Sequence, residues 1–322
     1  MMNNTITNNS PLNLARSALV FMTLLWGATF VIVKESLNDV SSMLFLTLRF
    51  GLASVVLVVI MVACKIKFDK KTIAPGLFLG VFLYLIFVTQ TIGLKYTTAT
   101  NSGFITGSSV VMVPFVQKIV QKKNPSKSAV FGCVLVFIGI LFLSSGGNSI
   151  SGFLSRFGTN FNLGDALTLL CAIFCAIHIV YIGILSRDYN NWYLLLIQLV
   201  VVAVLSLLGS FIFSGFNIEQ VHINFSNYLI FGILYTAIFT TLITIGLQLK
   251  YQKYVSPTQA GIIYALEPLF AAIFAFFLLS EKIAMFGLIG CVLIFLGLVF
   301  SEAFNSPQLE EARLHGESGN PG

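Results

Sequence analysis

A glutamate, an arginine and a histidine lie inside long apolar stretches of the sequence. Glu267 is near the middle of the stretch from 256 to 280, Arg49 is in the stretch from 42 to 63, and His178 is in the stretch from 164 to 186. A charge in the hydrocarbon interior of a membrane costs about 3 kcal/mol or more unless it is paired or hydrated. We therefore treat all three as candidates for solute binding, proton transfer or gating.

Two roles for Glu267 remain open from the sequence. The carboxylate could face a central cavity and bind a cationic group, or take up a proton during a transport cycle. It could instead be a buried structural group, hydrogen-bonded at the helix break that Pro268 is expected to cause.

For Arg49 and His178 the structural role is the favoured one. The long stem of Arg49 could extend toward the outer membrane surface, although in a cavity its guanidinium would attract a carboxylate or phosphate. A lone histidine in a packed helix is more often a neutral hydrogen-bonding partner between helices than a proton-responsive group or a solute contact.

Aromatic and amide side chains supply further substrate-binding candidates. Trp26, Tyr84, Tyr181 and Tyr264 could line an aromatic pocket, although core packing is the default for any one of them. Trp26 and Tyr264 are the stronger candidates because they lie in mid-stretch beside small residues. Asn101 is an amide candidate, while the amides Gln90, Gln198 and Gln248 are expected mainly to tie helices together. Pro114 and Pro268 are candidate bending points for gating.

The composition indicates that most of this chain is embedded in lipid and not surrounded by water. Of 322 residues, 57% are hydrophobic and 9% are charged, and the mean hydropathy is +0.93, whereas soluble domains are about a quarter charged. The five cysteines lie in or at the ends of apolar stretches, so we expect no disulfide framework, no metal and no cofactor. The net charge of +6 is explained by membrane topology, and we expect no nucleic-acid partner.

The hydropathy pattern predicts an all-α integral membrane protein with ten transmembrane helices. The predicted spans cover roughly residues 16–34, 42–63, 73–94, 97–119, 127–144, 164–186, 192–214, 227–249, 256–280 and 283–304. With the N-terminus inside, thirteen of the 18 basic residues fall on the cytoplasmic side. Since cytoplasmic loops collect Lys and Arg, both termini are predicted to be cytoplasmic.

An internal repeat divides the chain into two halves. Residues 132–142 read GCVLVFIGILF and residues 290–300 read GCVLIFLGLVF, an offset of 158 with seven identities in eleven positions. Because each half has an odd number of spans, the second copy must be inverted in the membrane. The predicted divisions are a polar tail (1–15), a first five-helix repeat (16–144), an extracytoplasmic linker (145–163), a second repeat (164–304) and a disordered tail (305–322).

Several short motifs, in this order, resemble the drug/metabolite transporter superfamily and specifically its ten-helix EamA-type permeases. The resemblance rests on the following segments: Trp26 to Phe30 with Lys34, Leu48-Arg49-Phe50, Gly93 to Ala99, Thr106-Gly107, Val113-Pro114, Gly164-Asp165, Ser256-Pro257-Thr258, Glu267-Pro268 and Ser280-Glu281-Lys282. It implies secondary transport of a metabolite, an amino acid or a related solute, by alternating access. The chain departs from the family at Cys175-Ala176, where Trp-Ala is common, and in its long connection from Ser144 to Leu163.

We therefore expect a secondary transporter, coupled to protons or working by exchange, in the inner membrane if the source is a bacterium. The expected partners are a small-molecule substrate and the lipid bilayer, and a homodimer is left open. A channel or a non-transporting membrane scaffold or receptor is the alternative. An intramembrane enzyme is the least favoured class, since the sequence has no paired catalytic carboxylates, metal-binding spacing or G-x-S-x-G motif.

Overall fold

The computed structural model describes residues 10–67, 69–144, 161–279 and 285–303. Within these ranges the chain is helical apart from its connections, and extended pairing is limited to one antiparallel bridge between Val40 and Ile223. Most of the predicted linker and the whole predicted C-terminal tail lie outside the described residues.

The first half contains five spans, numbered here in chain order. Helices Ser10–Gly27 and Thr29–Ser36 form the first span, Ser42–Ala63 the second, Ile73–Tyr96 the third, Ala99–Gly107 and Ser109–Gln121 the fourth, and Lys127–Ser144 the fifth.

The second half repeats this order. Helix Leu163–Asp188 is the sixth span and Asn191–Gly215 the seventh. The eighth joins Asn227–Ala237, the π-helical turn Ile238–Ile243 and Thr244–Tyr251. Helices Pro257–Tyr264 and Glu267–Leu279 form the ninth span, and Met285–Ala303 forms the tenth.

These helices confirm the predicted all-α membrane fold. Seven of the described helical segments are long and apolar enough to cross a membrane, and the fifth and tenth spans are shorter apolar helices. Helices suit lipid because every backbone hydrogen bond is made within the segment. At the helix starts, side chains replace the missing acceptors: the Thr98 hydroxyl accepts from the backbone N–H of Asn101, and the Ser256 hydroxyl accepts from the backbone N–H of Gln259.

Glycine contacts between the fifth and tenth spans show that the two halves are inverted. A Cβ on Gly132 would lie 2.8 Å from the carbonyl oxygen of Gly297, and a Cβ on Gly139 would lie 2.8 Å from that of Gly290. The contact therefore moves forward along the fifth span as it moves backward along the tenth, so these helices are antiparallel. Gly132 and Gly290 are 158 residues apart, and so are Gly139 and Gly297. The repeat offset therefore converts one glycine pair into the other, as a twofold axis in the membrane plane requires.

The fourth and ninth spans break at equivalent positions. The fourth is interrupted at Ser108, after Gly107, and the ninth is interrupted at Ala265 and Leu266. Gly107 and Ala265 are separated by 158 residues, which is the offset of the repeat. The two breaks meet, since a Cβ on Gly107 would lie 3.2 Å from Cγ of Pro268. The expected break beside Pro268 is present, because a proline lacks the N–H and its ring clashes with the carbonyl four residues earlier.

Pro114 does not mark a break. It is buried within the uninterrupted helix Ser109–Gln121, and the interruption of the fourth span lies earlier, at Ser108. There the Ser108 hydroxyl donates to the carbonyl of Ile105 at 2.6 Å and competes for a backbone acceptor. The weak helix propensity of Gly107 adds to this effect.

Candidate functional site

Two adjoining cavities of about 80 Å³ each lie between the halves, and each has room for several water molecules. We call them together the central cavity. Their shared wall comes from the first, third, fourth, sixth and ninth spans and consists of Trp26, Ile86, Phe87, Thr106, Cys175 and Glu267. Both repeats therefore contribute walls to one space at the helix breaks.

The central cavity has two chemically different ends. The Arg49 end is completed by Thr29, Phe30, Val33, Arg49, Gln90 and Leu94. The His178 end is completed by Leu83, Gly107, Ser109, His178, Ile179, Ile245, Gln248, Tyr264 and Ala265. Gln90 and Gln248, which share the repeat offset, thus lie at opposite ends.

The break in the ninth span places Glu267 in the wall that the two cavities share. It is the first residue of the helix Glu267–Leu279, where the unpaired N–H groups and the helix dipole favour a negative charge. It lines both cavities. Among the described residues its carboxylate has no hydrogen-bond or ion-pair partner. The carboxylate is consequently available to a bound solute, water or proton.

Arg49 is buried inside the bundle and does not extend to the membrane surface. The residue is 2% exposed. Its Nε donates to Oγ1 of Thr241 at 2.7 Å, and its Nη2 donates to Oγ1 of Thr240 at 3.2 Å and to the carbonyl oxygen of Thr240 at 3.4 Å. The guanidinium carbon also lies 4.5 Å from the ring centre of Phe87. These groups replace water around the cation.

The acceptors for Arg49 come from the π-helical turn of the eighth span. Such turns are rare and occur often at functional sites because they widen the helix and re-aim its side chains. Here the turn Ile238–Ile243 presents Thr240 and Thr241 toward the second span, and both threonines are fully buried. The Arg49 side chain therefore does not extend toward the membrane surface, as the sequence suggests it could. The π-helical turn that supplies its acceptors leaves no periodic signal in the sequence.

Trp26 and Tyr264 form the aromatic wall that the sequence predicts. Their rings meet edge to face with centroids 5.7 Å apart. The indole Nε1 of Trp26 donates to the carbonyl oxygen of Thr240 at 3.2 Å and to Oγ1 of Thr244 at 3.1 Å. The Tyr264 hydroxyl donates to Oε1 of Gln252 at 2.8 Å. Both rings are thereby fixed in orientation at the cavity wall.

His178 lines the cavity but is already engaged with a neighbouring helix. Its Nε2 lies 2.9 Å from Oε1 of Gln198 in the seventh span, and the side chain is buried. This is the interhelical contact favoured from the sequence.

Three substrate-binding candidates do not line the central cavity. Tyr84 packs in the core formed with the seventh span, where its hydroxyl lies near Gly209. Tyr181 packs edge to face on Phe78, with ring centroids 4.7 Å apart. Asn101 is in the first turn of the helix Ala99–Gly107. In each case the residue lies on a helix that reaches the cavity, but on another face.

Sequence reasoning misses Phe87, Cys175 and Thr106 as cavity residues. A usable signal exists on the third span, where Leu83, Ile86, Phe87 and Gln90 recur at helical spacing on one face with a single amide. Cys175 lies three residues before His178 and shares its helix face.

Hydrogen bonds cross between elements at both ends of the bundle. At one end Oε1 of Glu219 accepts from Nζ of Lys95 at 2.5 Å and from the amide of Ser42 at 3.0 Å, which ties the loop after the seventh span to the second and third spans. At the other end Oε1 of Gln117 accepts from the hydroxyl of Thr258 at 2.6 Å and from its amide at 3.1 Å. We call these the Glu219 contact and the Gln117 contact.

Comparison with known proteins gives a consistent result. The EamA-like transporter family matches residues 14–145 and 162–302. An uncharacterized transporter of Archaeoglobus fulgidus is 34% identical over 281 residues, which cover 87% of this chain and 83% of that protein. The uncharacterized transporter YyaM of Bacillus subtilis is 25% identical over 289 residues, covering 85% and 88%. A crystal structure with 14% sequence identity has a similar fold, with a TM-score of 0.73 over 92% of this chain and 100% of that chain.

Proposed function

Because the chain belongs to the EamA-like transporter family, we propose that it carries a small metabolite across the membrane by alternating access of the central cavity. The general role is that of a transporter and not an enzyme. The observation that supports the mechanism is a cavity walled by both inverted halves, whose shared wall holds the Glu267 carboxylate, a group with no hydrogen-bond or ion-pair partner among the described residues. The resemblance of the sequence points to an amino acid or a related solute.

Alternation follows from the inverted repeat. Two halves related by an axis in the membrane plane can exchange conformations, which yields two states of similar energy that open to opposite sides. The matched breaks at Ser108 and Ala265 are the natural bending points, and they touch through Gly107 and Pro268. In this proposal the Glu219 contact and the Gln117 contact open in turn.

The proposed orientation places both termini in the cytoplasm, which puts the Glu219 contact on the extracytoplasmic side. The support is the excess of Lys and Arg on the loops assigned to the cytoplasm. In a bacterial cell the membrane would be the inner membrane.

Reconstitution into proteoliposomes tests the proposal. A thermal-shift screen of the purified protein against amino acids, nucleosides, sugars and S-adenosylmethionine selects the labelled solute. A carrier gives saturable uptake that is accelerated by unlabelled solute on the opposite side. Uptake that rises without saturation would indicate a channel, and consumption of the solute would indicate an enzyme; either result contradicts the proposal.

A further inference from the structure

The charged residues of this chain are distributed unevenly along the sequence. No acidic residue occurs between Asp69 and Asp165. Within that stretch four lysines lie where the fourth span ends and the fifth begins, and we call them the lysine cluster: Lys118, Lys122, Lys123 and Lys127. All four side chains are exposed, and none makes an ion pair with a described residue. The cluster therefore presents four positive charges that the described part of the chain does not neutralise.

Other basic residues at this end of the bundle have partners within the chain. Nζ of Lys250 lies 5.1 Å from the ring centre of Tyr251, and Nζ of Lys253 lies 5.5 Å from that of Tyr254. Arg187 donates to the carbonyl oxygen of Lys253 at 3.1 Å. Membrane topology explains why lysines collect at this end. It does not explain why the lysine cluster lacks the acids and rings that accompany the other basic residues.

Exposed apolar side chains continue from the lysine cluster along the same two spans. Phe115 and Ile119 are 65% and 76% exposed and lie one turn apart on the helix Ser109–Gln121. Phe131 and Val134 are each 48% exposed on the fifth span. Charges at the span ends and apolar side chains nearer the bilayer centre follow the order of a phospholipid, whose headgroup lies above its acyl chains.

The local backbone brings these groups onto one surface. Phe115, Lys118 and Ile119 are three and four residues apart, so they share one face of their helix. The helix ends at Lys122, which has a left-handed backbone with φ 54°. The next helix begins at Lys127, and the start of a helix favours a phosphate because its N–H groups are unpaired. A lipid phosphate at this level would meet lysine ammonium groups and a helix start together.

We propose that the lysine cluster, together with the exposed face of Phe115 and Ile119, binds an anionic phospholipid of the adjacent leaflet. Charge selects an anionic headgroup, because a zwitterionic headgroup brings a cation of its own toward the lysines. In the proposed orientation this face is cytoplasmic, and the anionic lipids of the cytoplasmic leaflet attract lysines next to the membrane. This inference goes beyond the proposed function and does not depend on which solute the central cavity carries.

The lipid site adjoins the Gln117 contact. Gln117 and Lys118 are consecutive residues in the last turn of one helix, yet Gln117 is buried against Thr258 while Lys118 is exposed. A lipid that binds the outer side of this turn in the present arrangement favours the state in which the Gln117 contact is formed, because a ligand shifts an equilibrium toward the state that it binds better. Anionic lipid should therefore keep this face of the central cavity closed.

A tryptophan placed at position 115 reports which lipid occupies the site. Bromine atoms on an acyl chain quench a tryptophan that they contact, so the full-length Phe115→Trp protein is reconstituted with brominated phosphatidylglycerol or brominated phosphatidylcholine. The unsubstituted protein, with Trp26 and Trp192, supplies the background. We expect phosphatidylglycerol to be preferred about fivefold or more at position 115. Val62→Trp is the control reporter, since Val62 is 72% exposed near the end of the second span, and its preference should be smaller.

Two triple variants separate a local site from a general effect of charge. The first combines Lys118→Gln, Lys122→Gln and Lys123→Gln, and it should lower the preference at position 115 to the value found at position 62. The second removes the same number of charges from exposed lysines after the second span and should leave the preference at position 115 intact. It combines Lys65→Gln, Lys67→Gln and Lys70→Gln.

Three outcomes would overturn the lipid site. They are equal quenching by the two lipids at position 115, equal preferences at positions 115 and 62, and the same loss of preference in both triple variants. Displacement of the brominated lipid by millimolar inorganic phosphate would also overturn it and would indicate a site for a soluble anion.

The effect on the Gln117 contact has its own readout. An impermeant thiol reagent labels Cys175 from the face that carries Gln117, with the other cysteines replaced. Phosphatidylglycerol should lower this labelling rate a few-fold relative to phosphatidylcholine, and the first triple variant should lose that response. An unchanged rate despite a lipid preference at position 115 would leave the lipid site in place and contradict its control of the Gln117 contact.

Discussion

Arg49 and Trp26 donate to the same acceptor, the carbonyl oxygen of Thr240, at 3.4 Å and 3.2 Å. Arg49 belongs to the second span and Trp26 to the first, and Thr240 lies in the π-helical turn of the eighth. One widened turn in the second half therefore orients a cation and an aromatic ring contributed by the first half. The site depends on this contact between repeats.

The first prediction concerns the anchoring of Arg49. Thr241→Val removes the hydroxyl that accepts from Nε at 2.7 Å and leaves a buried charged donor unpaired. We expect a loss of about 1–3 kcal/mol in the free energy of unfolding, measured by thermal unfolding in detergent. Thr47→Val is the matched control, since the Thr47 hydroxyl donates only to the carbonyl of Met43 in its own helix. Equal melting temperatures for the two variants would show that Thr241 does not anchor Arg49.

The second prediction concerns the close approach of the fifth and tenth spans. Gly132→Ala places a methyl group 2.8 Å from the carbonyl oxygen of Gly297, so the helices must separate. We expect a lower melting temperature than in the wild type. Gly51→Ala adds the same group where nothing beyond its chain neighbours and its own helix backbone lies within 4 Å, and it should be neutral or slightly stabilising because alanine favours helix. A melting temperature of Gly132→Ala at or above that of Gly51→Ala would contradict the packing.

The third prediction concerns the role of Glu267. If its carboxylate contacts the transported solute, Glu267→Gln should slow exchange of the solute selected by the thermal-shift screen about tenfold or more, with or without a pH gradient. Glu35→Gln, an exposed change in the first span, should not. Should the Glu267→Gln protein instead exchange normally and lose only its response to a pH gradient, Glu267 would be a proton site and not a solute contact.

The fourth prediction concerns the Glu219 contact. Glu219→Gln removes the negative charge that pairs with Lys95. The Glu219 side chain is 11% exposed, so water screens this pair less than it screens a pair on the surface. We expect the face that carries Lys95 to open more often, by a few-fold, since partly exposed pairs contribute about 1 kcal/mol. The rate at which a membrane-impermeant thiol reagent labels Cys175 from that face, with the other cysteines replaced, should rise accordingly. No change relative to Glu35→Gln would mean that the contact does not hold this face closed.

The positions of the spans could be predicted from the sequence because a helix that crosses the membrane must be mostly apolar along its whole length. The sequence predicts the seventh span at 192–214, and the helix is Asn191–Gly215. It predicts the third span at 73–94, and the helix is Ile73–Tyr96. The break beside Pro268 was also predictable, since proline acts on its own helix. The odd number of spans in each repeat predicts the inversion that the glycine contacts show.

The remaining features depend on which face of each helix meets which neighbour. Hydrophobicity is high all round these helices, so it does not distinguish the cavity face of the sixth span from the face that carries Tyr181. The π-helical turn at Thr240 and the break at Ser108 arise from competition among backbone hydrogen bonds. That competition is settled by tertiary contacts and not by residue type alone.

The most direct test of alternating access uses Cys175 as a single-cysteine reporter with impermeant reagent applied to one face at a time. Glu219→Gln should raise labelling from the face that carries Lys95 and lower it from the opposite face. Gln117→Leu, which removes the acceptor for Thr258, should do the reverse. Labelling rates that rise or fall together on the two faces would contradict a cavity that opens to one side only by closing to the other.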